Sequence, residues 1–120
     1  NIPLRFDQDG ALQLVSPPPS GSLIQIFSAR PDAMLQAAVR AVQQALQGMN
    51  GSDKAGALLI DCHGNGMLLA EAYQQYQAAV QQALGNLPFL GVRSHGVLAR
   101  LRDQTAGHYE CSVAACILPM

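Results

Sequence analysis

Residues 55–66 read Ala55-Gly56-Ala57-Leu58-Leu59-Ile60-Asp61-Cys62-His63-Gly64-Asn65-Gly66. Four apolar residues, Ala57 to Ile60, run straight into an acid, a thiol and an imidazole, and then into two glycines around an asparagine. An apolar run this short, bounded by turn signals, predicts a strand buried on both faces, as strands of parallel sheets are. Gly64-Asn65-Gly66 predicts a tight bend or an open backbone loop, because glycine reaches conformations closed to other residues. Asp61, Cys62 and His63 then stand at the carboxyl end of a buried strand, just before a helix. Ligands of α/β sheets tend to bind at that end.

On the carboxyl side of this stretch, Leu69, Tyr73, Tyr76, Val80 and Leu84 recur at helical spacing, with Gln74, Gln75, Gln77, Gln81 and Gln82 facing largely outward. The pattern predicts a helix over Gly66–Leu84, stopped by Gly85 and Pro88. Pro88-Phe89-Leu90-Gly91-Val92 predicts another buried strand, followed by a second polar loop, Arg93-Ser94-His95-Gly96. A short strand over Val97–Leu101, a turn over Arg102–Gly107 and a final strand over His108–Leu118 complete this half. In the final strand Val113, Ala115 and Ile117 share a face.

On the amino side, Leu35, Ala38, Val39, Val42, Leu46 and Met49 predict a helix over Pro31–Gly48, with Pro31 suited to its first turn and Asp32 to its positive end. Asn1 to Val15 alternates apolar and polar around Asp7-Gln8-Asp9-Gly10, which predicts two short strands and a turn. Ser16 to Gly21, with three prolines, is an extended spacer. Ser22 to Phe27 predicts a third strand. The whole order is βββ-α-β-α-βββ, an α/β (α+β) class with a mixed β-sheet and two helices packed on it.

Composition narrows the function. At 120 residues and 49% hydrophobic, the chain supports one packed domain over residues 1–120. Only 12% of residues are charged and the net charge is -1, so no basic field exists for nucleic acid or an anionic membrane. Aromatics are 5% and Trp is absent, which argues against stacking platforms for bases. No apolar segment approaches the roughly 18 residues of a membrane span, and no signal-peptide pattern opens the chain. The first residue is Asn rather than Met, so a fragment of a longer protein is expected. Cys62, Cys111 and Cys116 fit neither a zinc motif nor a disulfide framework. Reduced thiols in a cytoplasmic setting are expected, with Cys116 a small core residue.

Four stretches together resemble the carboxyl-terminal domain of the FIST family, a bacterial signal-transduction sensory module. Asn1-Ile2 with Asp7 to Leu12 is similar to the family's opening "RN…D…GAL" hairpin. Ala55 to Gly66 resembles "AGALLFSCNGRG" and is the most specific part. Leu87 to Val92 with Gly96 resembles "VPVAGFFAAGEIGP", and Cys111 to Leu118 the closing apolar strand. The resemblance implies a cytoplasmic ligand-sensing domain, with small ligands such as amino acids. It implies as partners an amino-terminal FIST domain and a kinase, cyclic-nucleotide or chemoreceptor output module. It also implies haem in some members. The family's Arg in "CNGRG" is Asn65 here, and the Glu after its glycine is Val97.

The candidate ligand-binding residues are Cys62, His63, Gly64, Asn65, Gly66, Arg93, Ser94 and His95. The helix between the two polar loops is the crossover that parallel neighbours require, so both loops should emerge at one end of the sheet. Gly64 and Gly66 would offer backbone N–H groups to an anion, and Arg93 would clamp a carboxylate. Two other classes remain open on the same residues. His63 and His95 with Cys62 suit a metal or haem iron, as in a haem-based gas (nitric oxide) sensor, although a binder of small carboxylates needs no cofactor. Cys62 with His95 or His63 as base and Asp61 as orienter suits a Cys-dependent enzyme, although no nucleophile-elbow motif is present.

Overall fold

The computed structural model describes residues 3–14, 17–26, 28–100 and 107–120. The elements are β1 (Pro3–Phe6), β2 (Leu12–Leu14), α1 (Pro31–Gln47), β3 (Lys54–Cys62), α2 (His63–Leu69), a 3-10 turn (Ala70–Ala72), α3 (Tyr73–Leu84), β4 (Phe89–Ser94), β5 (Val97–Ala99), β6 (Gly107–Tyr109) and β7 (Val113–Pro119). β1 and β2 form the expected hairpin, closed by Asp7 N–H on the Ala11 carbonyl at 2.8 Å, with Gly10 in the left-handed region at φ 84°. β5 and β6 form a second antiparallel ribbon.

The main sheet is mixed, in the order β4-β3-β7. β3 is central. It pairs parallel with β4, from Ala57↔Phe89 to Cys62↔Ser94, and antiparallel with β7, from Lys54↔Pro119 to Asp61↔Val113. The α2–α3 segment is the crossover that this parallel pair requires.

Side chains alternate across a strand, so the register sorts the sheet into two faces. Ala57, Leu59 and Asp61 lie level with Phe89, Gly91 and Arg93 on one side and with Ile117, Ala115 and Val113 on the other. This face meets the helices: Ala38 and Val42 of α1 and Tyr76, Val80 and Leu84 of α3 form one core cluster with Ala57, Leu59 and Ile117. α1 also runs against α3, so both helices share this face.

Several sequence expectations are corrected. The sheet is not buried on both faces. Leu58, Ile60, Leu90, Val92, Cys116 and Leu118 form the other face, and Leu90 is 64% exposed. Cys116 is therefore exposed rather than a core residue. The apolar run alone does not reveal which face the helices take.

Ser22 to Ile26 forms no strand and is exposed, because no described sheet edge pairs with it; Phe27 lies outside the described residues. Gly64-Asn65-Gly66 is not a loop but the first turn of α2. Glycine in a helix costs about 1 kcal/mol against alanine, and here burial of Gly64 and Asn65 overrides that preference. The helix expected over Gly66–Leu84 is broken at Ala70, a non-glycine residue at φ 45°. The final strand is divided by a turn over residues 110–112, with Cys111 at φ 50°. Asn1-Ile2, Val15-Ser16 and residues 101–106 lie outside the described residues; of the turn expected over Arg102–Gly107, only Gly107 is described, and it opens β6.

Candidate functional site

The site grows from Asp61. The strand carries this carboxylate to the helix-covered face near its carboxyl end, where three donors converge on it. The Tyr73 hydroxyl donates to Oδ2 at 2.5 Å, the Tyr76 hydroxyl to Oδ1 at 3.0 Å, and Asn65 Nδ2 to Oδ1 at 2.7 Å. Hydrogen bonds to a carboxylate are stronger than neutral ones, and these three tie β3 to α2 and α3. Asn65 is only 3% exposed and also donates to the Ser112 carbonyl at 3.1 Å, which adds the turn before β7. Its amide orientation follows from these partners, since a flipped oxygen would face a carboxylate and a carbonyl.

Tyr73 and Tyr76 stand three residues apart on α3, the spacing that brings helical neighbours together. Their rings stack with centroids 5.6 Å apart and an interplanar angle of 18°. Burial, together with the negative charge of Asp61 and its hydrogen bond, raises the Tyr76 phenol well above its ordinary range. Tyr73 is raised as well, by burial first and then by its hydrogen bond to Asp61, against an opposing pull from Arg93. Both hydroxyls therefore remain donors.

Arg93 is level with Asp61 on β4, and its guanidinium carbon lies 4.6 Å from the centre of the Tyr73 ring. A cation held over an aromatic face gains roughly 0.5–1 kcal/mol at exposed sites and loses freedom to wander. No carboxylate is ion-paired with Arg93 among the described residues. Between α3 and β4 lies a cavity of about 360 Å³, walled by Asp61, Tyr73, Gln77, Gln81, Phe89 and Arg93, among others. Opposite charges thus line one space, whose volume falls within the range of small-molecule pockets.

The parallel register does bring the two polar segments to one end of the sheet. Of the eight sequence candidates, Arg93 lines the cavity and Asn65 holds Asp61. Gly66 borders the guanidinium, where an added Cβ would make ordinary contact at 3.7 Å. Cys62 is buried, and its amide donates to the Ser112 carbonyl at 2.9 Å. Gly64 is buried inside α2, while the Ser94 hydroxyl donates to the Gly96 carbonyl at 2.6 Å. His63 and His95 sit together, away from the cavity lining, with ring centroids 5.3 Å apart. Sequence reasoning missed Tyr73 and Tyr76, reading them as core residues. The available signal was their hydroxyls, which need partners when buried, on the helix that follows a strand ending in Asp61.

A sequence model of the FIST C domain matches residues 1–100. The chain belongs to the FIST C domain family. FIST C domains are sensory domains of signal-transduction proteins. The match includes the Ala55–Gly66 stretch and stops short of β7. Neither curated proteins nor solved structures yield a match to this chain. No helix among the described residues of this FIST C domain is long and apolar enough to cross a membrane.

Proposed function

We propose that this FIST C domain senses a small carboxylate-bearing metabolite, an amino acid foremost, in the cavity between β4 and α3. One observation carries the reading: Arg93 and Asp61, opposite in charge and level on neighbouring strands, line the same cavity without an ion pair between them. The guanidinium fork suits a carboxylate, which it grips through two parallel hydrogen bonds. Stacking on Tyr73 preorganises that fork and so lowers the ordering cost of binding. Asp61 supplies the negative potential that favours an ammonium group. Gln77 and Gln81 add neutral donors and acceptors. A ligand held this way would tie β4 to α3, and that tightening is the signal handed to an output module.

The test is an NMR titration with a panel of amino acids and with carboxylates that lack the amine. Amides of Asp61, Tyr73, Gly91 and Arg93 should move together in a saturable way, and Arg93→Ala should abolish the response. Amino acids should outperform their deaminated counterparts if Asp61 contributes. Shifts that spare these residues, or a response that Arg93→Ala leaves intact, would refute the reading.

A further inference from the structure

Two of the three histidines of the chain, His63 and His95, form a pair that the carboxylate reading does not use. His63 opens α2 directly after β3, and His95 directly follows β4. The parallel register pairs Asp61 with Arg93 and Cys62 with Ser94, so the next residue of each strand, His63 and His95, comes out side by side. The pairing of the strands, rather than a mobile loop, sets this juxtaposition. Their rings are tilted by 54° with centroids 5.3 Å apart. His63 is half-buried and His95 exposed, and neither imidazole makes a hydrogen bond among the described residues. His108 is nearby on β6 but packs against Gly96, where an added Cβ would collide with its Nε2. Among the described residues no group of three or more His, Cys, Asp or Glu converges.

We propose that His63 and His95 chelate one divalent transition-metal ion, zinc above all, with the remaining positions open to water or a small ligand. Neutral imidazole suits zinc, copper and nickel. Zinc holds an imidazole nitrogen at about 2.0–2.1 Å, which places each ring centre about 3.2 Å from the metal. Two rings at a tetrahedral angle then have centres about 5.2 Å apart, against the 5.3 Å seen here. A right-angled octahedral pair would bring them to about 4.5 Å by the same reckoning. The site lies at the carboxyl ends of two parallel strands, where sheets of this kind collect ligands. It is a two-residue chelate without partners to orient the rings, so its affinity is modest.

The experiment titrates zinc(II), and cobalt(II) as a spectroscopic stand-in, into the full chain. One ion should bind per chain, and bound cobalt should show the strong visible bands of tetrahedral coordination. His63→Gln and His95→Gln should each weaken zinc binding by about 100-fold, the lower end of what two linked ligands gain over one. His108→Gln should bind as the parent does. Melting curves of the metal-free variants check that each remains folded. Absence of saturable binding, binding that survives both substitutions, or loss of binding in His108→Gln would overturn the proposal. So would a sulfur-to-cobalt charge-transfer band.

Discussion

The two faces of the β4-β3-β7 sheet are cut from the same strands and from similar aliphatic residues, but they have different neighbours. On the helix side, Ala57, Leu59 and Ile117 disappear beneath α1 and α3, and the same row of positions ends in the Asp61 cluster and its cavity. On the other side Leu90, Val92 and Leu118 stay open to solvent, and no described helix packs on them. Parallel pairs such as β3–β4 usually have both faces covered. The contrast teaches that apolar character marks a face as able to be buried, whereas covering it takes a partner element with a matching face. Polar chemistry in this domain settled where a partner exists, because a carboxylate gains from low dielectric only when donors surround it.

The comparison is broken most severely at the covered face. Val42 is fully buried, so Val42→Asp should unfold the domain, because a buried unpaired charge costs several kcal/mol and the whole stability margin is of that order. Thermal melting by circular dichroism decides it, and a parent-like transition would place α1 elsewhere. A smaller loss follows at the polar end of that face. Asp61→Ala leaves the Tyr76 hydroxyl and the Asn65 amide without their shared acceptor, at about 2–3 kcal/mol by denaturant titration. An unchanged midpoint would mean that water replaces the carboxylate at no cost.

Alkaline pH sharpens the same contrast. The Tyr73 and Tyr76 phenols are raised in the folded chain, so above about pH 10 the unfolded chain releases protons that the folded chain keeps. Their contribution is complete below that value and is lost as pH rises through the folded-state titration. Stability should fall across this window, and Tyr76→Phe should make the fall shallower; an identical slope in the variant would detach Tyr76 from it. The smallest effect belongs to the open face. Leu90→Ser should change stability by no more than about 0.5 kcal/mol, as exposed substitutions do. A loss comparable to that of Leu59→Ala would show that the isolated chain covers this face after all.

How much was legible follows from the range over which each signal acts. The α1 span, the β1–β2 hairpin and the β3–β4 parallel pair could be read, since capping residues, glycine turns and helical spacing act within a dozen residues. Arg93 was legible as a candidate for the same reason: it opens the polar segment after an apolar run, as Asp61 does in the neighbouring strand. Ala70 was not, because alanine is the strongest helix former and nothing local announces a left-handed break there. Gly64-Asn65-Gly66 misled in the opposite direction, since glycine signals a loop unless packing decides otherwise.

The amino-acid sequence by itself determined the α1 span, the β1–β2 hairpin, the parallel β3–β4 pairing that the crossover demands, and membership of the FIST C family. Only the tertiary structure decided that both helices take one face, that Tyr73 and Tyr76 turn their hydroxyls onto Asp61, and that Arg93 lies over a tyrosine ring at the edge of a cavity. The physical reason is distance along the chain. Propensity and periodicity belong to neighbours in sequence. The choice of face and the partners of a buried carboxylate arise from contacts between segments far apart, as Asn65 shows by bonding both Asp61 and the carbonyl of Ser112.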